Sequence, residues 1–382
     1  MSKDPVALES VRRRPRDRKQ QIVRAARDLF VEHGYPQVSM AAIAESVGVT
    51  AGALYRHVET KSELLTLVFA DSFAWLDETS SSVSFDAAIE RAITRVADEP
   101  YLPDLWVSEA RFLDAAEQAT LRRRMRANTQ QLVVLLTDRR PDLDANGQDL
   151  IAWALQSLIS SAGRRSIRTA PSARTAVVRR AVRAVVEVDV EQTSGAPRTE
   201  RLFDSVSRRE RLLRSAFDEF ERVGYHETSM ASIAAVAGVS GPNLYGYFES
   251  KAEVLRAVYD RSLHALWIAF DNAMLRAEDA EEALDILVND YAHLSRHWPR
   301  TLEEPSGDAD LDEWALTAQR EYVSEWVALL RRVRPRLTQP QARLRVQIGL
   351  LLIADLYRIP HLRNVPSIET NGARLVRAVL FS

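Results

Sequence analysis

Apolar residues recur along most of this chain at the spacing of amphipathic helices, and the alternation expected of strands is nearly absent. Ile22, Ala25, Ala26, Leu29 and Phe30 form one apolar face that stops at Gly34. Glycine tolerates the backbone conformations that end a helix, so the first helix is expected to stop there. Ser39 reads as the N-cap of a short helix over Met40–Ser46, and Gly48 supplies a turn. Thr50 caps a second short helix reaching to about His57. Thr60, Lys61, Ser62 and Glu63 fit a capping box, opening a longer helix with Leu64, Leu65, Val68 and Phe69 on its apolar side.

The same signals then come a second time. Residues 206–259 align with 16–69 without a gap, at a constant offset of 190, with 21 of 54 positions identical. The identities include Phe30/Phe220, Gly34/Gly224, Gly48/Gly238, Leu54/Leu244, Tyr55/Tyr245 and Lys61/Lys251. Ser229, Gly238, Ser240 and the box Ser250, Lys251, Ala252, Glu253 repeat each cap and turn. A gapless internal repeat means that one structural unit has been built twice.

Further helices follow each copy. Breaks are expected near 80–84, 100–103, 140–147 and 169–172, and near 299–310, 334–341 and 358–366. Arg140-Pro141-Asp142-Leu143 and Arg334-Pro335-Arg336-Leu337 stand in corresponding places, so the homology extends beyond the first motif. The stretch 191–205 lacks periodicity, contains Ser194-Gly195-Ala196-Pro197, and reads as a linker. The expected organisation is an N-terminal basic arm (1–15), a DNA-binding part (16–63), a helical part (64–190), the linker, a second DNA-binding part (206–253) and a second helical part (254–382).

Composition narrows the function classes. The chain has 382 residues, enough for two or three domains. It has no cysteine, which excludes disulfides, thiolate metal sites and thiol nucleophiles. No apolar run reaches the roughly 18 residues that span a bilayer, and no apolar core follows the basic N-terminal residues as a secretory signal would require. A cytoplasmic protein without a membrane partner is the expectation. Net charge is only −2, but residues 11–61 carry ten Lys/Arg against five Asp/Glu, whereas residues 198–251 carry eight of each. The first copy is basic and the second neutral, so they are not equivalent toward a polyanion.

Two short helices joined by a glycine turn form the unit that places its second helix in the DNA major groove. Thr50, Ala51, Gly52, Ala53 and Arg56 are the groove-facing candidates of the first copy. Tyr55, His57 and Lys61, with the cap Ser39, are its phosphate-side candidates. In the second copy the corresponding set is Ser229, Ser240, Gly241, Pro242, Asn243, Tyr245, Tyr247 and Lys251. Pro242 is compatible with a first helical turn, which needs no amide donor there. Arg12, Arg13, Arg14 and Arg16 could form an arm reaching into a minor groove. Arg56 suits guanine and Asn243 adenine, so the two readers should prefer unlike half-sites.

The string Thr50-Ala51-Gly52-Ala53-Leu54-Tyr55-Arg56-His57-Val58-Glu59-Thr60-Lys61-Ser62-Glu63-Leu64-Leu65 resembles the signature of the tetracycline-repressor (TetR) class of bacterial one-component regulators. The string from Ser240 to Leu255 is at least as similar to it. Val58 departs from the usual aromatic, which Phe248 keeps. Two such units in one chain resemble the tandem regulators of actinobacteria, among them a mycobacterial repressor of a mammalian-cell-entry operon concerned with lipid and sterol import. The resemblance implies an all-α fold of two TetR-like units, each a three-helix DNA-binding part followed by a helical bundle, packed as an intramolecular pseudo-dimer. It also implies a transcription repressor of lipid or sterol transport or catabolism genes, with a double-stranded DNA operator as partner.

By the same resemblance each helical part holds an effector pocket and a dimerisation surface. Aromatic residues there are Trp75, Trp106 and Phe112, then Trp267, Tyr291, Trp298, Trp314, Tyr322 and Trp326. They point to an apolar effector such as a fatty acyl or sterol derivative. The faces of residues 151–162 and 173–186 should pack on those of 346–356 and 373–380 as a four-helix bundle, with further self-association on DNA left open. His293 and His297 are spaced i, i+4, but no glutamate stands between them and Arg296 does, so no metal is assigned. No cofactor is implied. With no phosphate loop and no nucleophile–base set, an enzyme is not expected. The rival reading is a helical sensor or interaction protein in which one or both motifs have lost DNA binding.

Overall fold

The computed structural model describes residues 15–74, 83–164, 169–191, 205–296, 306 and 308–382, and every element among them is helical. The first copy opens with α1 (Pro15–His33), α2 (Met40–Ser46), α3 (Ala51–Leu54) and α4 (Lys61–Ser72). It continues with α5 (Phe85–Asp98), α6 (Leu102–Asp104), two irregular turns over Leu105–Glu109 and Ala110–Phe112, α7 (Ala115–Arg139), α8 (Ala145–Ser161) and α9 (Pro171–Val186). The second copy contributes α10 (Arg208–Val223), α11 (Met230–Val236), α12 (Gly241–Tyr245), α13 (Lys251–Arg276), α14 (Ala280–Ser295), α15 (Ala309–Val333), α16 (Gln339–Arg358), α17 (Pro360–Arg363) and α18 (Ile368–Phe381).

The described residues fall into two compact units. One comprises 15–74 with Asp104–Asn128; the other comprises 83–103 and everything described from Thr129 onward. The larger unit therefore contains α5, α8 and α9 of the first half together with the whole second half.

Helix ends follow the capping chemistry. Ser39, Thr50, Thr60, Ser229 and Ser250 each accept the backbone N–H three residues on, satisfying donors that a helix start leaves free. The reach-back of the expected capping boxes differs by one residue. Glu63 accepts from the N–H of Glu59 at 2.7 Å and Glu253 from that of Glu249 at 2.6 Å, each one position before the cap. Ser240 has the backbone of a cap but no side-chain cap bond, and Asn243 N–H goes to the Ser240 carbonyl instead. The α3 helix is shorter than expected, closing at Leu54 before a turn. Arg16 lies in the first turn of α1, and Arg12, Arg13 and Arg14, the other residues of the expected arm, lie outside the described residues.

The larger unit has one continuous apolar core. It runs through Leu155, Leu158 and Ile159 of α8, Val178, Ala181 and Val185 of α9, Ile348 and Leu352 of α16, and Leu375 and Val379 of α18. Helix α8 packs on α16, and α9 on α18, so the helices that close each half pack together. The repeated Arg-Pro turns have a shared task here. Arg140 donates to the carbonyls of Val186 and Val188 at the end of α9, and Arg334 donates to that of Phe381 at the end of α18, 2.8 Å away. Each guanidinium thus satisfies carbonyls that a helix C-terminus leaves unpaired. The chain leaving the first half is clamped to α18, with Asn371 pairing with the Glu191 backbone at 2.7 and 3.1 Å and Arg374 holding the Glu191 carboxylate at 2.6 Å.

Candidate nucleic-acid interface

Both helix-turn-helix units are built on the same buried positions. Ile22, Ala26, Phe30, Ile43, Leu54, Leu64 and Val68 are buried in the first, and Leu212, Ala216, Phe220, Ile233, Leu244, Val254 and Val258 in the second. Val58 and Phe248 occupy the same core position despite their difference in size. The turns depend on four glycines, Gly34, Gly48, Gly224 and Gly238, at φ of 79°, 66°, 89° and 63°. These are the positive-φ residues of the described chain, and only glycine takes such angles without strain.

With α2 and α11 seated on these turns, the next helix presents its exposed side. Thr50, Ala51, Gly52, Tyr55 and Arg56 are exposed, with Ala53 and His57 half-buried, while Leu54 and Val58 point into the core. In the second copy Ser240, Asn243, Tyr245, Gly246 and Tyr247 are exposed around buried Leu244 and Phe248, with Gly241 half-buried. Pro242 belongs to the first turn of α12. Tyr55, Tyr245 and Tyr247 are 50%, 57% and 42% exposed, unusual for large aromatics in a packed domain, and each carries a hydroxyl able to donate to a phosphate. Ser39 and Ser229 are exposed as well, their oxygens already capping α2 and α11.

The two lysines behave differently from the phosphate holders expected of them. Lys251 Nζ donates to the carbonyls of Tyr225, His226 and Thr228 at 2.7, 3.1 and 2.8 Å, and lies 4.4 Å from the centre of the Tyr225 ring. An ammonium has three N–H donors, so all of them are taken. Lys61 makes one such bond, to the Pro36 carbonyl at 3.4 Å, and lies 4.3 Å from the Tyr35 ring centre. Burial pulls both ammonium groups below the usual lysine range. Both residues pin the turn after the first helix of their copy, and Lys61 alone keeps donors for an incoming anion.

A feature not read from the sequence backs the first turn. Glu109, buried, accepts the Tyr35 N–H at 2.9 Å, and Phe112 stacks on the Tyr35 ring with centroids 5.2 Å apart. Phe112, expected in a pocket, therefore supports the helix-turn-helix. In the second copy Leu311 and Trp314 of α15 join the corresponding core, where Arg256 lies over Trp314 at 5.1 Å. Trp267, Tyr291, Tyr322 and Trp326 do come together, as a ring-on-ring cluster with centroids 5.5–6.4 Å apart, and Trp326 is fully buried. Trp106 is half-buried in the turn that ends at Glu109. Trp75 and Trp298 lie outside the described residues, as does His297; His293 pairs with Glu369 at 2.8 Å.

Desolvation raises the Glu109 carboxyl above its ordinary value, outweighing the Tyr35 N–H and the nearby Arg111 and Lys61. A raised folded value means that protonation favours the folded state. The stability this group contributes is full below the ordinary carboxylate range and is lost as pH rises through the raised value. Glu109→Gln, which keeps an acceptor for Tyr35, should remove that loss. Thermal unfolding of both proteins from about pH 4 to about pH 7.5 should show the variant gaining on the wild type as pH rises; parallel curves would contradict it.

The model of bacterial regulatory proteins, tetR family, matches residues 22–68 and 212–258. The chain is 38% identical over 58 residues to the HTH-type transcriptional regulator Rv1816 of Mycobacterium tuberculosis, covering 15% of this chain and 25% of that protein. It is 31% identical over 118 residues to the HTH-type transcriptional activator FasR of Mycolicibacterium smegmatis, covering 31% of this chain and 48% of that one. The chain thus spans half or less of the length of these curated relatives. A TetR-family regulator from Bordetella parapertussis superposes with a TM-score of 0.41 at 20% identity, over 46% of this chain and 95% of that one. No described helix is long and apolar enough to cross a membrane. Residues 22–68 and 212–258, the two copies of the repeat and the two shared cores, are thus each similar to the tetR-family model, which this one chain matches twice.

Proposed function

We propose that this protein is a sequence-specific transcription regulator that reads an asymmetric operator with two unlike helix-turn-helix motifs. The observation that carries the reading is the contrast of exposed side chains on a duplicated frame: Tyr55 and Arg56 in one copy, Asn243, Tyr245 and Tyr247 in the other. A symmetric dimer presents identical readers and selects a palindrome, whereas two different readers select two different half-sites. The packing of α8 and α9 on α16 and α18 supports a pseudo-dimer within one chain, which does not need a second copy to complete its bundle.

In this reading the protein is a repressor released by a small apolar effector. The contacts of Glu109 and Phe112 with Tyr35 support a route for release, because a shift of the Leu105–Phe112 segment would move the turn that seats α2. Its regulated genes, by resemblance to the tandem regulators, serve lipid or sterol transport or catabolism. The second motif is the weaker binder, since its copy is neutral and Lys251 is already bonded to three carbonyls.

Selection of sites from random duplex DNA by the purified chain, with the mass of the complex recorded, tests the reading. It requires two unlike half-sites bound by one chain; a palindrome bound by two chains would overturn it. Arg56→Ala should cost about 1–3 kcal/mol of affinity and relax selectivity at one position of one half-site. Unchanged affinity and selectivity would remove Arg56 from the readers.

A further inference from the structure

The last helix of each half offers an internal comparison. At an offset of 194, Arg180-Ala181-Val182-Arg183-Ala184-Val185 of α9 corresponds to Arg374-Leu375-Val376-Arg377-Ala378-Val379 of α18. One turn later the correspondence fails, because Glu187 stands where the second half has Phe381.

In the second half this place is filled. Arg377 lies 4.5 Å from the centre of the Phe381 ring, and Arg334 lies 5.8 Å from it. Arg377 is also held by Glu281 at 2.9 Å and Asp285 at 2.7 Å on α14. The ring, its flanking guanidinium groups and the acids of the neighbouring helix form one closed arrangement.

The first half has most of the same parts and leaves the place open. Glu187 turns to Arg139, 2.7 Å away, instead of covering the core. Glu90 on α5, an acid on the neighbouring helix as Asp285 is in the second half, is taken by Arg179, whose counterpart at the offset of 194 is Ala373, at 2.5–3.0 Å. Arg183, the counterpart of Arg377, is left exposed; its charge acts on Glu90, but its N–H donors make no hydrogen bond among the described residues. A cleft of about 460 Å³ results, with Phe85, Ile89, Ile93, Val182 and Val186 forming its apolar floor. Its rim carries Arg183 beside the two neutralised pairs, and Asp86 is the remaining acid.

We propose that this cleft binds a small planar aromatic acid, its ring lying where the second half puts Phe381 and its carboxylate meeting Arg183. The floor supplies apolar contact for a ring, and a guanidinium without hydrogen-bonded partners offers both a face for stacking and paired N–H donors for a carboxylate. The volume accommodates a bicyclic ring system with room to spare. The ligand class differs from the apolar effector above, and the site does not depend on the DNA reading.

The test is calorimetric titration of the full chain with naphthalene-2-carboxylate and with its neutral amide. The carboxylate should bind, and the amide should bind roughly tenfold more weakly. Glu187→Phe supplies the plug of the second half and should weaken both by at least roughly tenfold. Arg183→Gln should lower carboxylate binding toward that of the amide and leave the amide unchanged. Thermal unfolding of each variant establishes that it is folded. Absence of carboxylate binding to the wild type, equal binding by Glu187→Phe, or indifference to Arg183→Gln would each overturn the proposal. None of these readouts involves DNA, so failure here and failure of the regulatory reading are separate results.

Discussion

Asp355→Ala should destabilise the larger unit by about 3–5 kcal/mol, the cost of leaving a buried charge without its partner. Asp355 on α16 is the meeting point of three donors. Ser157 of α8 reaches it at 2.6 Å, Arg164 at 2.9 Å to both oxygens, and Arg358 of its own helix at 2.9 Å. The Arg164 side chain is only 8% exposed, so solvent cannot replace the carboxylate. Arg174 fixes the same corner by donating to the Arg164 carbonyl at 2.7 Å. Replacing both charges, with Arg164→Met and Asp355→Leu together, should recover much of the loss, since an apolar pair avoids the unpaired charge. Urea denaturation of the full chain measures both. A loss below about 1 kcal/mol for Asp355→Ala would show that the network adds little.

The network is also one-sided. At the offset of 194, Asp355 corresponds to Ser161 and Ser157 to Leu351, so the related position holds neither the acid nor its hydroxyl partner. The contact therefore favours α8 against α16 and would be lost if either helix met its own kind.

What could be read in advance was what local chemistry determines. Helix α2 was expected over Met40–Ser46 and has those bounds, because a serine cap and a glycine of positive φ delimit it within a few residues. The tandem all-α architecture was legible because caps, turns and apolar faces agreed twice at one offset. The Arg140 and Arg334 turns were visible as a repeat, but their task depends on carbonyls more than forty positions away. Lys251 shows the limit more clearly. A cation at a helix start reads as an anion holder, yet the carbonyls of residues 225, 226 and 228 reach it first. Glu109 gave no signal either: its partner Tyr35 lies 74 positions earlier, and an isolated glutamate between helices has no periodicity to mark it. Aromatic enrichment found the Trp267–Trp326 cluster, but enrichment alone does not separate a packed core from a lining.

Phe30→Ala and Phe220→Ala provide the largest functional contrast. Both rings are among the largest fully buried side chains, 0% and 1% exposed, at equivalent positions of the two helix-turn-helix cores. Each truncation should cost its own copy about 3–5 kcal/mol of stability. A loss of that size is a large fraction of a domain's net stability and falls on the core that seats one motif, so each variant should disable one reader. On DNA the two losses should be unequal. The first copy has ten basic residues against five acidic ones and keeps Lys61 only partly engaged; the second has eight of each and Lys251 fully engaged. Phe30→Ala should therefore remove most of the affinity and flatten its dependence on salt, because phosphate neutralisation sets that slope. Phe220→Ala should leave the slope nearly as it was and abolish selectivity at one half-site. Fluorescence anisotropy on one duplex across a salt series reads both effects. Equal losses with equal slopes would mean that the charge imbalance between the copies does not reach the DNA, and the two motifs would then have to be regarded as equivalent binders.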